Sequence, residues 1–248
     1  MKVANIAKEK IASYSNGVIF TLSDFKLEPK YDLALAKILS RMSLKGELKK
    51  VSKGKYYKPQ NTLLGELKPD IYELVKDLLV ANNEIVGYMT GVQAFNSIGL
   101  TTQISSSILI GTNEYRRPIK RGSYLIRFLN QKNKITEKNI ELLRILDAIK
   151  YIKEIPATTP NDVCKSIIKT LSDMDEDRLK NLEELSLGYT SYVRAIVGAI
   201  YEYLGLNPIK IRMSLNGLTS YNIPISESVL PTKTNWNIYE TTRRYQYV

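Results

Sequence analysis

Between Val18 and Pro59 the chain changes element type at a spacing that few folds accommodate. Val18-Ile19-Phe20-Thr21 is β-branched and aromatic, the composition of a short strand, and Ser23-Asp24 supplies oxygens to cap a short helix through Leu27. Pro29 stops that helix and suits the first turn of the next. From Lys30 to Leu44, the residues Leu35, Ile38, Leu39 and Met42 recur at i, i+3, i+4 and i+7, one apolar stripe on a longer helix. Gly46 closes it as a residue free to take positive φ. Glu47 to Val51, the turn Ser52-Lys53-Gly54 and Lys55 to Lys58 then predict a hairpin. With a first helix on Val3, Ile6, Ala7, Lys10, Ile11 and Tyr14, the pattern over residues 1–60 predicts a winged helix-turn-helix.

Charge gives that pattern a chemistry. The chain carries a net charge of +11, and residues 1–60 hold 13 basic and 5 acidic residues, leaving 23 and 20 for the other 188. Lys30, Ala34, Lys37 and Arg41 fall on a stripe away from the apolar one, as a helix entering a major groove requires. On this reading Arg41 and Lys37, with Ser40 and Lys45 on the same surface, face base edges of double-stranded DNA. Lys30, Lys49, Lys50, Lys53 and Lys55 grip phosphates, and Tyr31 and Tyr56 support them. Three classes stay open: a DNA-binding regulator, a protein–protein adaptor in which the winged domain is only a structural module, and an RNA-binding regulator using the same hairpin.

Beyond Pro59, the polar segment Gln60 to Pro69 reads as a domain boundary, and Pro69 to Ala81 as a helix with Ile71, Leu74, Val75, Leu78 and Leu79 inward. Residues 68–130 predict a small mixed α/β unit. It has strands at Ile85 to Tyr88 and Ser107 to Ile110, a helix from Thr90 to Ile98 ending at Gly99, and basic loops through Arg116, Arg117, Lys120 and Arg121. Residues 131–248 predict a helical region with an irregular tail. Thr136, Asn161-Asp162 and Asp175 are its expected caps, a last helix runs from Tyr189 to Leu204, and the tail, which also carries Tyr239, Tyr245 and Tyr247, is expected to be anchored by Trp236. Arg243-Arg244 are expected to be disordered. The fold class is therefore α+β.

Enzymatic chemistry has little to work with. There is no histidine, which removes imidazole bases and the usual metal sites, and the single cysteine, Cys164, reads as a small buried apolar residue. The acidic run Asp173, Asp175, Glu176, Asp177 starts like a calcium loop, but Arg178 stands where the loop demands glycine. Asp24 and Asp32 sit at helix starts and read as caps. No glycine stretch has phosphate-cradle spacing, so no cofactor and no metal are expected. Met1 to Ser15 lacks the apolar centre of a signal peptide, and no apolar run approaches membrane-spanning length. The expected compartment is the cytoplasm.

Three segments also carry a resemblance. Gly17 to Thr21 with Asp24-Phe25, then Ala36 to Met42 through Lys45-Gly46, then Lys53 to Pro59, resemble the N-terminal winged domain of AbiEi-type antitoxins of type IV toxin–antitoxin systems. Thr90 to Gln103, a small-residue helix followed by Gly99-Leu100-Thr101-Thr102-Gln103, is similar to the central motif of that group. The resemblance implies a repressor that binds its own promoter, alone or as a homodimer, in a phage-defence setting. It also implies that the protein counters a nucleotidyltransferase-type toxin without a stable complex.

Overall fold

A computed structural model describes residues 3–63 and 65–240; Leu64, Arg243, Arg244, Tyr245 and Tyr247 lie outside the described residues. The fold is mixed α+β. The chain divides into two compact units, Met1–Val80 with Pro118–Ile126, and Ala81–Arg117 with Arg127–Val248. Two stretches expected in the central unit, the helix after Pro69 and the segment around Arg121, thus group with the N-terminal elements.

The first unit opens with helix α1 (Val3–Ser13), strand β1 (Ile19–Phe20) and a 3-10 turn at Leu22–Phe25. Thr21 is the cap residue of that turn, and the cap oxygen is supplied by Asp24. The Thr21 amide donates to Asp24 Oδ2 at 2.6 Å, because an acid three residues on can reach back to the cap's own N–H. A second 3-10 turn at Pro29–Tyr31 leads into α2 (Asp32–Leu44). Asp32 makes no capping hydrogen bond among the described residues, since the preceding turn already starts the helix; its charge still suits the first turn.

At the far end the Glu47 amide donates to the Met42 carbonyl at 3.0 Å and the Gly46 amide to Ser43 at 3.1 Å, with Gly46 at φ +79°. This paired closure reverses the chain and drops Leu48 into the core under α2. Strands β2 (Lys49–Ser52) and β3 (Lys55–Tyr57) follow, and β3 lies between β1 and β2 in a three-stranded antiparallel sheet. The core joins Ala7, Ile11, Phe20, Phe25, Leu35, Leu39, Leu48 and Tyr56. The Tyr14 ring stacks on Phe20 at 4.9 Å, and Phe25 meets Phe20 edge-on at 5.9 Å.

The segment from Gln60 to Pro69, expected as a boundary, carries an exposed pair of strands, β4 (Gln60–Thr62) and β5 (Gly65–Leu67). Helix α3 (Ile71–Leu79) buries Leu74, Val75, Leu78 and Leu79, and Asp70 caps it. Strands β6 (Val80–Ala81) and β7 (Glu84–Ile85) form a short hairpin over Asn82-Asn83. Then come β8 (Gly87–Thr90), α4 (Val92–Ser97), β9 (Ser107–Thr112), β10 (Ile119–Arg121) and β11 (Tyr124–Asn130). Strand β10 pairs with the start of β11 in the first unit, with Ile119 opposite Ile126. Arg121 is no loop cation. It is buried, and its guanidinium forks onto Asp77 at 2.6 and 2.9 Å and donates to the Leu74 carbonyl.

In the second unit β8 pairs antiparallel with β9, and the end of β11 lies on the other side of β9. The turn expected at Gly99 to Gln103 is held by Asn96 Nδ2 donating to the Thr101 carbonyl and by Thr101 Oγ1 donating to the Pro156 carbonyl. Helix α5 (Glu137–Lys150) is the core of this unit. Leu142, Leu143, Ile145, Leu146, Ala148 and Ile149 are all buried, while Glu137, Lys138 and Glu141 near its start stay exposed.

Around it pack α6 (Pro160–Ser172), α7 (Glu176–Ser186) and α8 (Ser191–Tyr203), with α9 (Ile209–Met213) against α7 and α8. Asp175 caps α7 as expected, through the Arg178 amide. Helix α6 is capped instead by Thr159, which Pro160 at the first helical position places correctly; Asn161 accepts from the Ser226 amide and ties down the tail. Cys164 is buried and its thiol is pushed up to about 12 by that burial.

One polar group sits inside this core. Asp147 on α5 is fully buried and accepts from Tyr88 and Thr90 through Oδ2 and from Tyr189 through Oδ1, each at 2.8 Å. Gln131 Nε2 donates to both tyrosine hydroxyls at 2.9 Å. Burial pushes the Asp147 carboxyl up to about 6, against the three hydroxyls and the Lys150 charge that favour its ionised form.

The tail carries β12 (Tyr221–Asn222) and β13 (Ile238–Tyr239), paired in parallel, and Trp236 is buried as expected. Its indole donates to Glu202 at 2.7 Å, the Arg212 guanidinium lies 4.1 Å from its ring, and the ring rests on Gly198 of α8. A Cβ at Gly198 would stand 2.2 Å from the indole, so only glycine admits this seat.

Gly198→Ala should lower stability by about 1–3 kcal/mol through overpacking. Thermal unfolding, with the fluorescence of the only tryptophan as a second readout, checks it. For Asp147 the folded carboxyl binds its proton more tightly than the unfolded one, so wild-type stability should rise relative to Asp147→Asn as pH falls from 7.5 through about 6 towards 4.5. Urea midpoints of both proteins at the two pH values test this; a difference independent of pH would refute it.

Candidate nucleic-acid interface

The seating of α2 decides what its outer face presents. Leu35 and Leu39 are fully buried, with Ile38 and Met42 half-buried beside them. At about 100° per residue the line opposite passes through Leu33, Lys37, Ser40 and Leu44, and all four are exposed. Lys30, Ala34 and Arg41 are also exposed but lie to one flank of that line. The stripe expected from the sequence was thus centred too far to one side. It missed Leu33 and Leu44, exposed by 79% and 86%. Their signal was present: both fall opposite Leu35 and Leu39 on the same helix.

The charged side chains divide by their partners. Lys30 pairs with Glu28 at 2.7 Å, with its ammonium 5.0 Å from the ring of half-buried Tyr31, and Lys49 approaches Glu66 at 3.4 Å. Lys55 is bound at 2.7 Å to Asp77, the carboxylate that also holds Arg121. Burial alone would raise the Asp77 carboxyl, but Arg121 and Lys55 outweigh it and hold it below the usual range. Lys37, Arg41, Lys45, Lys50 and Lys53 make no ion pair among the described residues. Arg41 donates only through Nε, to the Lys37 carbonyl at 3.4 Å.

Exposed pairs such as Lys30–Glu28 are worth little and exchange readily for another anion, whereas withdrawing Lys55 would leave Asp77 short of a partner. Lys55 therefore serves the fold more than the surface. Tyr56, expected as a supporting contact, is in the core opposite Phe20 and Lys50 in the sheet. Its neighbour Tyr57 is buried too, so β3, the middle strand, is covered on both faces and offers neither ring to the surface.

Lys50 lies on β2 and Lys53 in the two-residue turn to β3, so α2 and the hairpin carry the unpaired cations together within one unit. Such a surface can neutralise several phosphates while a helix face addresses base edges. No group of three or more His, Cys, Asp or Glu able to hold a metal occurs among the described residues. Asp175 of the acidic run is engaged in capping. No helix is long and apolar enough to cross a membrane.

No curated protein matches the chain. Among solved structures it is similar to the RV2827C protein from Mycobacterium tuberculosis, at 12% identity and a TM-score of 0.48, over 87% of this chain and 82% of that one. The profile of a family of unknown function, DUF6088, matches residues 6–179, and the chain belongs to that family.

Proposed function

We propose that residues 3–57 form a winged helix-turn-helix that binds double-stranded DNA, with α2 as the recognition helix and the β2–β3 hairpin as the wing. The observation that carries this is the sorting of α2 and the hairpin: the inner faces are buried, and the outward side bears Lys37, Arg41, Lys45, Lys50 and Lys53, all without ion pairs among the described residues. Cations kept free of carboxylates retain their condensing power for phosphates. The charge excess of residues 1–60 supports the same reading.

The regulator would bind its own promoter and repress its operon in the cytoplasm, alone or as a homodimer. By resemblance to AbiEi-type antitoxins it would counter a nucleotidyltransferase-type toxin without a stable complex. Arg41 and Lys37 would face base edges. Lys50 and Lys53 would hold phosphates, with Lys30 and Lys49 joining them by exchanging their surface partners.

Fluorescence anisotropy with the protein's own upstream DNA and a scrambled duplex, at two salt concentrations, tests this. Lys37→Ala/Arg41→Ala should weaken promoter binding by about 10- to 100-fold and erase the preference over the scrambled duplex. Lys50→Ala/Lys53→Ala should weaken both duplexes alike and lower the salt slope by about 2. Equal or absent binding to both duplexes by the wild type would reject operator reading and favour a partner-binding role.

A further inference from the structure

We propose that Leu33 and Leu44 read thymine methyl groups, so that the DNA site contains thymines where the two ends of α2 meet the major groove; this rests on the DNA-binding reading above. Both leucines lie on the outermost line of the helix, exposed by 79% and 86%, with Lys37 and Ser40 between them. They are i and i+11, about 16 Å apart along the axis, the span of several base pairs.

Leaving two leucines this exposed on a helix that already buries Leu35 and Leu39 gains the fold nothing. A charged face gives them few occupants. Around them lie Lys37, Arg41 and Lys45 with Asp32 and Glu47 at the two ends, a net positive surface that a second copy of this chain would meet with more positive charge. Duplex DNA offers the complementary pair of features on one surface: phosphates for the cations, and in the major groove the 5-methyl of thymine, the apolar group among the base edges there.

The test is a double-mutant cycle across the interface, using the full chain and two versions of its upstream promoter, one amplified with thymine and one with uracil in place of every thymine. Uracil deletes the methyl and keeps the pairing. Burial of a methyl-sized group predicts a loss of about fourfold per contact, hence roughly fifteenfold for wild type on uracil DNA. Leu33→Ala/Leu44→Ala should lose the same factor on thymine DNA and nothing more on uracil DNA. Leu63→Ala, which alters an exposed leucine on the β4–β5 ribbon, should respond to uracil as the wild type does.

A uracil penalty equal in wild type and the double variant, or no penalty in either, overturns the assignment while leaving DNA binding intact. A change in sedimentation of the DNA-free protein on Leu33→Ala/Leu44→Ala also overturns it, by assigning the leucines to a self-interface. Failure of the wild type to bind the thymine promoter fails the DNA-binding reading itself.

Discussion

The first unit depends on the burial of one helix stripe. Leu35 and Leu39 lose all contact with water, worth about 1.5–3 kcal/mol each, and that contact fixes the rotation of α2 about its own axis. Every property of the outward surface follows from this rotation. A turn of the helix by one residue would bring Lys37 or Ser40 against Phe20 and Phe25. The apolar core thus aims the polar face, which itself contributes little stability.

The second unit solves a different problem with the same means. Its central helix buries the run Leu142 to Ile149 almost without break, and inside that run, at Asp147, a carboxylate is retained at the cost of desolvation and then satisfied by three hydroxyls. That network links β8, α5 and the turn before α8, elements far apart in sequence. Hydrophobic contacts specify how much surface is covered; directional bonds to one acceptor specify which neighbours must be present.

Periodic features were legible from sequence. The stripe on α2, the reversal at Gly46, the cap at Asp175, the burial of Cys164 and the seat of Trp236 each follow from a local pattern or from the size and polarity of one side chain. Features set by a partner distant in sequence were not legible. Arg121 read as a loop cation because Asp77, its partner, is 44 residues away. Lys55 reads as a surface charge for the same reason, its partner Asp77 being distant in sequence. Tyr56 reads as a surface contact because nothing local shows that β3 lies in the middle of the sheet with both faces covered. Thr159 lost the cap of α6 to Asn161-Asp162 in the sequence pattern, although Pro160 marks the first helical residue. Leu33 and Leu44 were missed for another cause: a search for basic stripes passes over apolar residues that lie between them.

The closure at Gly46 has a consequence for binding thermodynamics. Two hydrogen bonds from backbone amides and the buried Leu48 join the end of α2 directly to β2, so helix and hairpin share one short, packed connection. A ligand that touches both meets a surface whose ordering entropy was spent during folding. Its association should resemble the docking of a rigid die, with modest heat-capacity change, instead of the coupled ordering that accompanies a mobile wing.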